Sequence, residues 1–232
     1  MRLAGLRNTS MLDYPDNISA VVFTRGCNFH CSYCHNSHLI PMQPPPGDED
    51  LPEEIFFNLL KKRQNVLDGV TITGGEPLLQ PDLKEFINKI RKNYDLKIKL
   101  DTNGSSSKIL KELIEEELLD YLALDLKFSW DKYHLLAPEG VIAEIKKSIK
   151  IIMNSNLNYE FRTTAVPGLH DVSEIEKIAE TAKGADRYYI QNFRPRNTLD
   201  PKLREERSFA PSELKLFKKT AEKYIENVQV RD

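Results

Sequence analysis

The chain has 232 residues, 40 % apolar and 29 % charged, with a formal net charge of −2. This is the composition of a soluble globular protein with room for a sizeable core, and it lacks the basic excess of a nucleic-acid binder. No run approaches the roughly eighteen apolar residues of a membrane span, and the N-terminus has no signal-peptide design, so the sequence predicts a cytoplasmic protein with no membrane partner.

In chain order, "MRLAGLRNTSMLDYPDN" leads into a first strand at 20–24, "AVVFT". Further strands are predicted at 69–73, 96–101, 121–126, 159–166 and 187–193, most of them apolar on both faces as buried parallel strands are. Helices fit between them at 53–65 and 108–117, and along the stripes Leu83-Phe86-Ile87-Ile90, Ile142-Ile145-Ile149-Ile152, Ile175-Ile178-Ala179-Ala182 and Leu214-Phe217-Ala221-Tyr224. Ser173, with Glu176 three residues on, marks one helix start and Pro211 another. Alternating strands and helices imply an α/β fold with a parallel sheet in a single domain over 1–232, either an open doubly wound sheet or a full or partial barrel. The one long loop is "PMQPPPGDED", 41–50.

Ligands of parallel α/β folds bind at the C-terminal ends of the strands. Each predicted strand end here is polar or glycine-rich: the cysteine segment, "TGGEP" (73–77), "DTNG" (101–104), "DLK" (125–127), Arg162-Thr163-Thr164 followed by "VPGLH" (166–170), and "QNFRPRN" (191–197). Taken alone, "TGGEP" and "DTNG" are turn sequences, and Asp and Lys in "DLK" need only pair with each other. Their shared position at strand ends is what points to one pocket.

All three cysteines lie within "TRGCNFHCSYCHN", at Cys27, Cys31 and Cys34. In a reducing compartment such a cluster indicates metal or redox chemistry. One reading is a zinc site completed by His30, His35 or His38. The other is a cubane cluster with three thiolate ligands and one iron left open. An open iron suits chelation by an adjacent amine and carboxylate, as in the amino-acid moiety of S-adenosylmethionine. On that reading "GGE" offers acceptors for the ammonium, Lys127 a cation for the carboxylate, Asn and Asp side chains partners for ribose, and Val166–Pro167 an apolar ledge for adenine.

The spacing C-x3-C-x2-C with Tyr33 before the last cysteine, together with "GGEP", resembles the radical S-adenosylmethionine superfamily. "MLDYPDNISAVVFTRGCNFHCSYCHN", "DTNG" and "DLK" resemble its glycyl-radical-enzyme activating enzymes, and most of all the activating proteins of anaerobic ribonucleoside-triphosphate reductase, where a glycine is usual at the position of Asp16. The resemblance implies a partial (β/α)6 TIM-like barrel. It implies a 4Fe-4S cluster on Cys27, Cys31 and Cys34 that reductively cleaves S-adenosylmethionine to methionine and a 5′-deoxyadenosyl radical. That radical would take the α-hydrogen of a glycine in a partner glycyl radical enzyme. The implied cofactor contacts are Tyr33, His35, Asn36, Gly74, Gly75, Glu76, Asp101, Asn103, Asp125, Lys127, Arg162, Val166, Asn192 and Arg194. Asn192 and Arg194 stand where some relatives place a ligand-contacting histidine. Asp101 and Thr102, with Asp125, resemble a monovalent-cation site. Asp13 and the 41–50 loop are the expected contacts to the partner's glycine loop, and a flavodoxin- or ferredoxin-type protein the expected electron donor. The alternatives are a formate-lyase-type activase, a small-molecule radical enzyme, or a non-enzymatic zinc or iron–sulfur module.

Overall fold

The computed structural model describes residues 1–231. One eight-stranded sheet runs in chain order: β1 (Leu3–Ser10), β2 (Ser19–Thr24), β3 (Gly69–Gly74), β4 (Lys97–Thr102), β5 (Tyr121–Asp125), β6 (Asn158–Ala165), β7 (Tyr188–Asn192) and β8 (Val228–Arg231). β1 is antiparallel to β2, and every later pair is parallel. The connections from β2 onward carry α1 (Glu53–Arg63), α2 (Leu83–Asn93), α3 (Ser107–Glu115), α4 (Val141–Met153), α5 (Val172–Thr181) and α6 (Pro211–Ala221). β1 and β8 are the two ends of the sheet's strand order, so this is the mixed α/β, partial-barrel arrangement that the sequence implies.

The six predicted strands correspond to β2 through β7, and the periodic stripes face the sheet. Phe86, Ile87 and Ile90 of α2, Ile145, Ile149 and Ile152 of α4, and Ile175, Ile178 and Ala179 of α5 are all buried. Two strands are additions. β1, "LAGLRNTS", exposes Arg7, Asn8 and Thr9 and has no apolar run to betray it. β8, "VQVR", has only four residues. One helix start differs from expectation: α5 is capped by Asp171, whose carboxylate accepts from the Glu174 amide at 2.8 Å, two residues before the predicted Ser173. Pro211 does open α6.

The core is continuous between the helices and the sheet. Among the described residues no helix is long and apolar enough to cross a membrane.

Candidate cofactor site at the strand ends

A cavity of about 380 Å³ opens where β2 through β7 end, and its wall contains all three cysteines. Local backbone bonds position the cysteine loop. The amides of Gly26 and Cys27 donate to the carbonyls of Leu39 (2.7 Å) and Ile40 (3.0 Å), and the Cys34 amide donates to Cys31 (2.9 Å). Below it, Arg25 is fully buried and held by Asp50 and by Asp48 at 2.9 Å. The acidic end of the 41–50 loop, expected to meet a partner, is thus folded back to neutralise Arg25.

The loop after β3 is pressed onto the cysteine loop. Gly75 and Glu76 donate their amides to Thr24 (2.9 Å) and Gly26 (2.8 Å). Gly74 has φ of 119°, and a Cβ on Gly75 would fall on the Gly26 carbonyl. Both positions therefore require glycine. The Glu76 carboxylate, expected to meet an incoming ammonium, is already shared among protein donors: Leu78 N at 3.0 Å, Thr102 Oγ1 at 2.6 Å and Asn103 N at 2.7 Å. Burial pushes its pKa up to about 7 against those three bonds. Asn103 Nδ2 also donates to Asn28 Oδ1 at 3.0 Å, so Glu76 knits three strand-end loops together.

The opposite wall is a chain of charges. Arg162 on β6 is the register partner of Asp125 on β5. Its Nε donates to Asp125 Oδ1 at 2.8 Å and its NH1 to Asp101 Oδ2 at 3.3 Å. Lys127 Nζ lies 3.3 Å from Asp125 Oδ2, and Lys99 pairs with Asp101. Burial alone would raise the Asp125 pKa, but Arg162 and then Lys127 outweigh it and hold it down to about 2. Burial likewise opposes the charge on Lys127, and Asp125 with the facing Cys31 keeps its pKa well above the ordinary lysine value. The segment after β5 is fixed by His170, whose Nε2 donates to the Lys127 carbonyl at 2.8 Å while Nδ1 accepts from the Val166 amide at 3.1 Å. His170 stacks on Phe128 (4.8 Å between centroids, 6° between planes), with Tyr33 edge-on to both. The Tyr33 hydroxyl is buried without a hydrogen-bond partner.

The donor set fits an iron–sulfur cluster. All three thiols are free. Burial, followed by the nearby Glu76, pushes Cys27 up to about 12, and burial raises Cys31 and Cys34 as well. Bare, these thiols hold their protons at neutral pH; a bound cationic metal is what would make them thiolates. A closed zinc site is not what the side chains form. His30, His35 and His38 are exposed, and among the described residues no three His, Cys, Asp or Glu side chains converge on the position of one metal ion.

Of the predicted residues, Asp13, Tyr33, His35, Asn36, Gly74, Gly75, Glu76, Asp101, Asn103, Asp125, Lys127 and Arg162 line the cavity with the cysteines. Val166, Asn192 and Arg194 are not part of its wall. Val166 is fully buried in the core rather than forming a ledge. The Asn192 amide group brackets Phe209, donating to its carbonyl at 3.1 Å and accepting from its amide at 3.0 Å. Arg194 offers its carbonyl to His35 Nε2 at 2.8 Å, and His35 stacks on the neighbouring Phe193. Thr102, named with the cation site, also lines it, and Phe29, Ile40, Thr73, Thr164 and Gln191 complete the wall. Thr73 and Gln191 sit at strand ends, where position alone could have nominated them; Ile40 gave no signal in the sequence.

A family profile described as the radical SAM superfamily matches residues 21–182. A protein of Methanocaldococcus jannaschii, provisionally named a glycyl-radical enzyme activating enzyme, is 35 % identical over 99 % of this chain and 95 % of its own length. The pyruvate formate-lyase-activating enzyme of Clostridium pasteurianum is 29 % identical over 85 % of this chain and 83 % of its own. In fold, the chain superposes on Streptococcus suis SuiB bound to its precursor peptide SuiA with a TM-score of 0.65 at 16 % identity, over 91 % of this chain and about half, 48 %, of that one. The cysteine loop, the glycine-tight β3 turn and the profile match agree: this chain is a radical SAM enzyme and belongs to the glycyl-radical enzyme activating enzymes.

Proposed function

We propose that this chain reductively cleaves S-adenosylmethionine and uses the resulting 5′-deoxyadenosyl radical to take the α-hydrogen from one glycine of a partner glycyl radical enzyme. The observation that carries this reading is the convergence on one cavity of three free thiols and the Lys127–Asp125–Arg162 charge chain. Cys27, Cys31 and Cys34 would hold a 4Fe-4S cluster, which would supply the electron for the cleavage and a site for the amino-acid moiety of the cofactor.

The chain's own residues do the rest. Lys127, half-buried in the cavity wall with the cysteines, binds the methionine carboxylate as a point charge, and Asp125 keeps it protonated and in place. The glycine turn at Gly74–Gly75, in the cavity wall, offers backbone carbonyls as acceptors for the ammonium. Glu76 orients that turn rather than meeting the ligand. Asn36 and Asn103 offer partners for the ribose, and Tyr33 an unpartnered hydroxyl at the cavity wall.

The partner we favour is anaerobic ribonucleoside-triphosphate reductase, supported by the "DYPD" lead-in before the cysteine loop. Its glycine loop would enter past Asp13, which lines the cavity beside the exposed Met11 and Leu12. The Clostridium pasteurianum relative supports a second reading, a formate-lyase-type partner. A flavodoxin- or ferredoxin-type donor in the cytoplasm would supply the electrons. The test is anaerobic incubation of the reduced protein with S-adenosylmethionine and each candidate partner, followed by electron paramagnetic resonance. A glycyl radical on the reductase is the expected result. A radical on the formate lyase alone reassigns the partner, and none on either sinks both readings.

A further inference from the structure

The resemblance implies a monovalent-cation site at Asp101, Thr102 and Asp125, and the residues present do not fit one. Every carboxylate oxygen there already faces a cation of the chain. Asp101 Oδ1 pairs with Lys99 and Oδ2 with Arg162 NH1 at 3.3 Å; Asp125 Oδ1 pairs with Arg162 Nε at 2.8 Å and Oδ2 with Lys127 Nζ at 3.3 Å. The Thr102 hydroxyl donates to Glu76 at 2.6 Å and accepts from the Gly104 amide at 3.0 Å. The nearby Glu160 is no spare carboxylate either, since Arg231 grips it through both oxygens, at 2.7 and 2.8 Å. Glu160 Oε1 also lies 3.9 Å from Arg162 NH1, so with Arg231 counted four cations (Lys99, Lys127, Arg162 and Arg231) face three carboxylates, and a further positive charge would enter a locus already in surplus.

Lys99 is the unexpected member. It is 1 % exposed, lies two residues before Asp101 on β4 and so on the same face, and reaches Asp101 from beneath the cavity without joining its wall. A lysine is rarely buried this deeply without a partner.

We infer that Lys99 is a built-in counter-cation for this cofactor pocket, a tethered ammonium that takes the place of a free monovalent cation, so that S-adenosylmethionine binds here without potassium or sodium. Lys99 is a positioning residue. It neutralises Asp101, which leaves Arg162 free to bridge Asp101 to Asp125, and Asp125 in turn holds Lys127.

The inference rests on the cavity's being the S-adenosylmethionine site, and its test separates the two. S-Adenosylmethionine affinity is measured anaerobically on the full chain carrying its cluster, in choline chloride and in potassium chloride of equal ionic strength. The wild-type affinities should agree within about twofold, whereas Lys99→Met should bind about tenfold more weakly in choline and regain most of that loss in potassium or ammonium. Iron content and visible absorbance verify that the variant carries its cluster. Potassium-dependent binding by the wild type overturns the inference, even where the variant fails to load a cluster. So does a Lys99→Met protein that binds normally in choline, or one that binds weakly and is not rescued by any cation. Absence of wild-type binding in both salts would instead overturn the cofactor reading.

Discussion

The backbone amide of Asn103 donates to Glu76 Oε2 at 2.7 Å, so the loop after β4 hangs from a carboxylate on the loop after β3. Glu76 Oε1 takes the Thr102 hydroxyl and the Leu78 amide as well. Glu76→Gln keeps the shape but turns an amide donor toward one of these donors. Leaving a buried donor unsatisfied costs about 1–3 kcal/mol. The cluster-loaded variant should melt lower by about 5 °C and bind S-adenosylmethionine less tightly. An unchanged melting temperature would show that the loop does not depend on this carboxylate.

The β3 turn makes a steeper prediction. A methyl at Gly75 meets the Gly26 carbonyl, next to the first cysteine, and neither backbone can yield without moving the loop. Gly75→Ala should lose most of its iron per chain on anaerobic reconstitution. Gly5→Ala, whose methyl would find only Phe23 side-chain atoms at 3.8 Å or more, should load normally. Equal iron in both would remove the steric argument.

Asp16 adopts φ of 59° at the third position of a turn closed by the Asn17 amide on the Tyr14 carbonyl at 3.2 Å, with Pro15 at the second. A left-handed residue after proline is the type II pattern, which favours glycine. The backbone that a glycine would adopt is kept by aspartate at a conformational cost. Asp16→Gly should therefore stabilise the protein by roughly 0.5–1 kcal/mol, read as a higher urea midpoint. A lower midpoint would mean that the Asp16 side chain contributes more than its backbone strain removes.

His170 gives a pH dependence. Burial lowers its pKa, and its contacts to the Lys127 carbonyl and the Val166 amide fit only the neutral ring with the proton on Nε2. The unfolded state therefore binds more protons just below pH ~6.5, the ordinary histidine value, and stability falls as the pH drops through that value. The slope from this one group is at most about 1.4 kcal/mol per pH unit. In the protein carrying its cluster, His170→Gln should flatten the stability profile between about pH 7 and 5.5. An unaltered slope would show that the ring does not titrate on unfolding.

For Lys127→Ala, the cluster should form normally and S-adenosylmethionine affinity should drop by about tenfold or more, because the removed charge lines the cavity beside the cysteines from a half-buried position. Titration of the cofactor into the anaerobic protein measures it, and unchanged affinity would take Lys127 out of the binding site.

Much of this architecture is legible in the sequence, because buried parallel strands and amphipathic helices leave different periodicities. β2 through β7 and the stripes of α2, α4, α5 and α6 show it. β1 does not, since an edge strand with a solvated face has Arg7, Asn8 and Thr9 where a core strand would have apolar residues. The cavity wall was reachable through strand-end positions, which nominated residues as distant in sequence as Cys27 and Arg162. What periodicity and spacing do not carry is how side chains share partners. Nothing in "TGGEP" says that Glu76 is already satisfied by Thr102 and Asn103. Nothing in "LKIKLD" separates Lys97, which is exposed, from Lys99, which is buried on Asp101. Those allocations depend on which strands become neighbours.

On the proposed function, a hydrogen atom passes from a partner's glycine to the cofactor's 5′ carbon in this cavity. The most direct measurement supplies the reduced protein with S-adenosylmethionine and with anaerobic ribonucleoside-triphosphate reductase whose glycines carry deuterium at the α-carbon, and then weighs the 5′-deoxyadenosine formed. The expected product is 5′-deoxyadenosine carrying one deuterium, together with methionine and a glycyl radical on the reductase. Only unlabelled 5′-deoxyadenosine, or none at all, would contradict it.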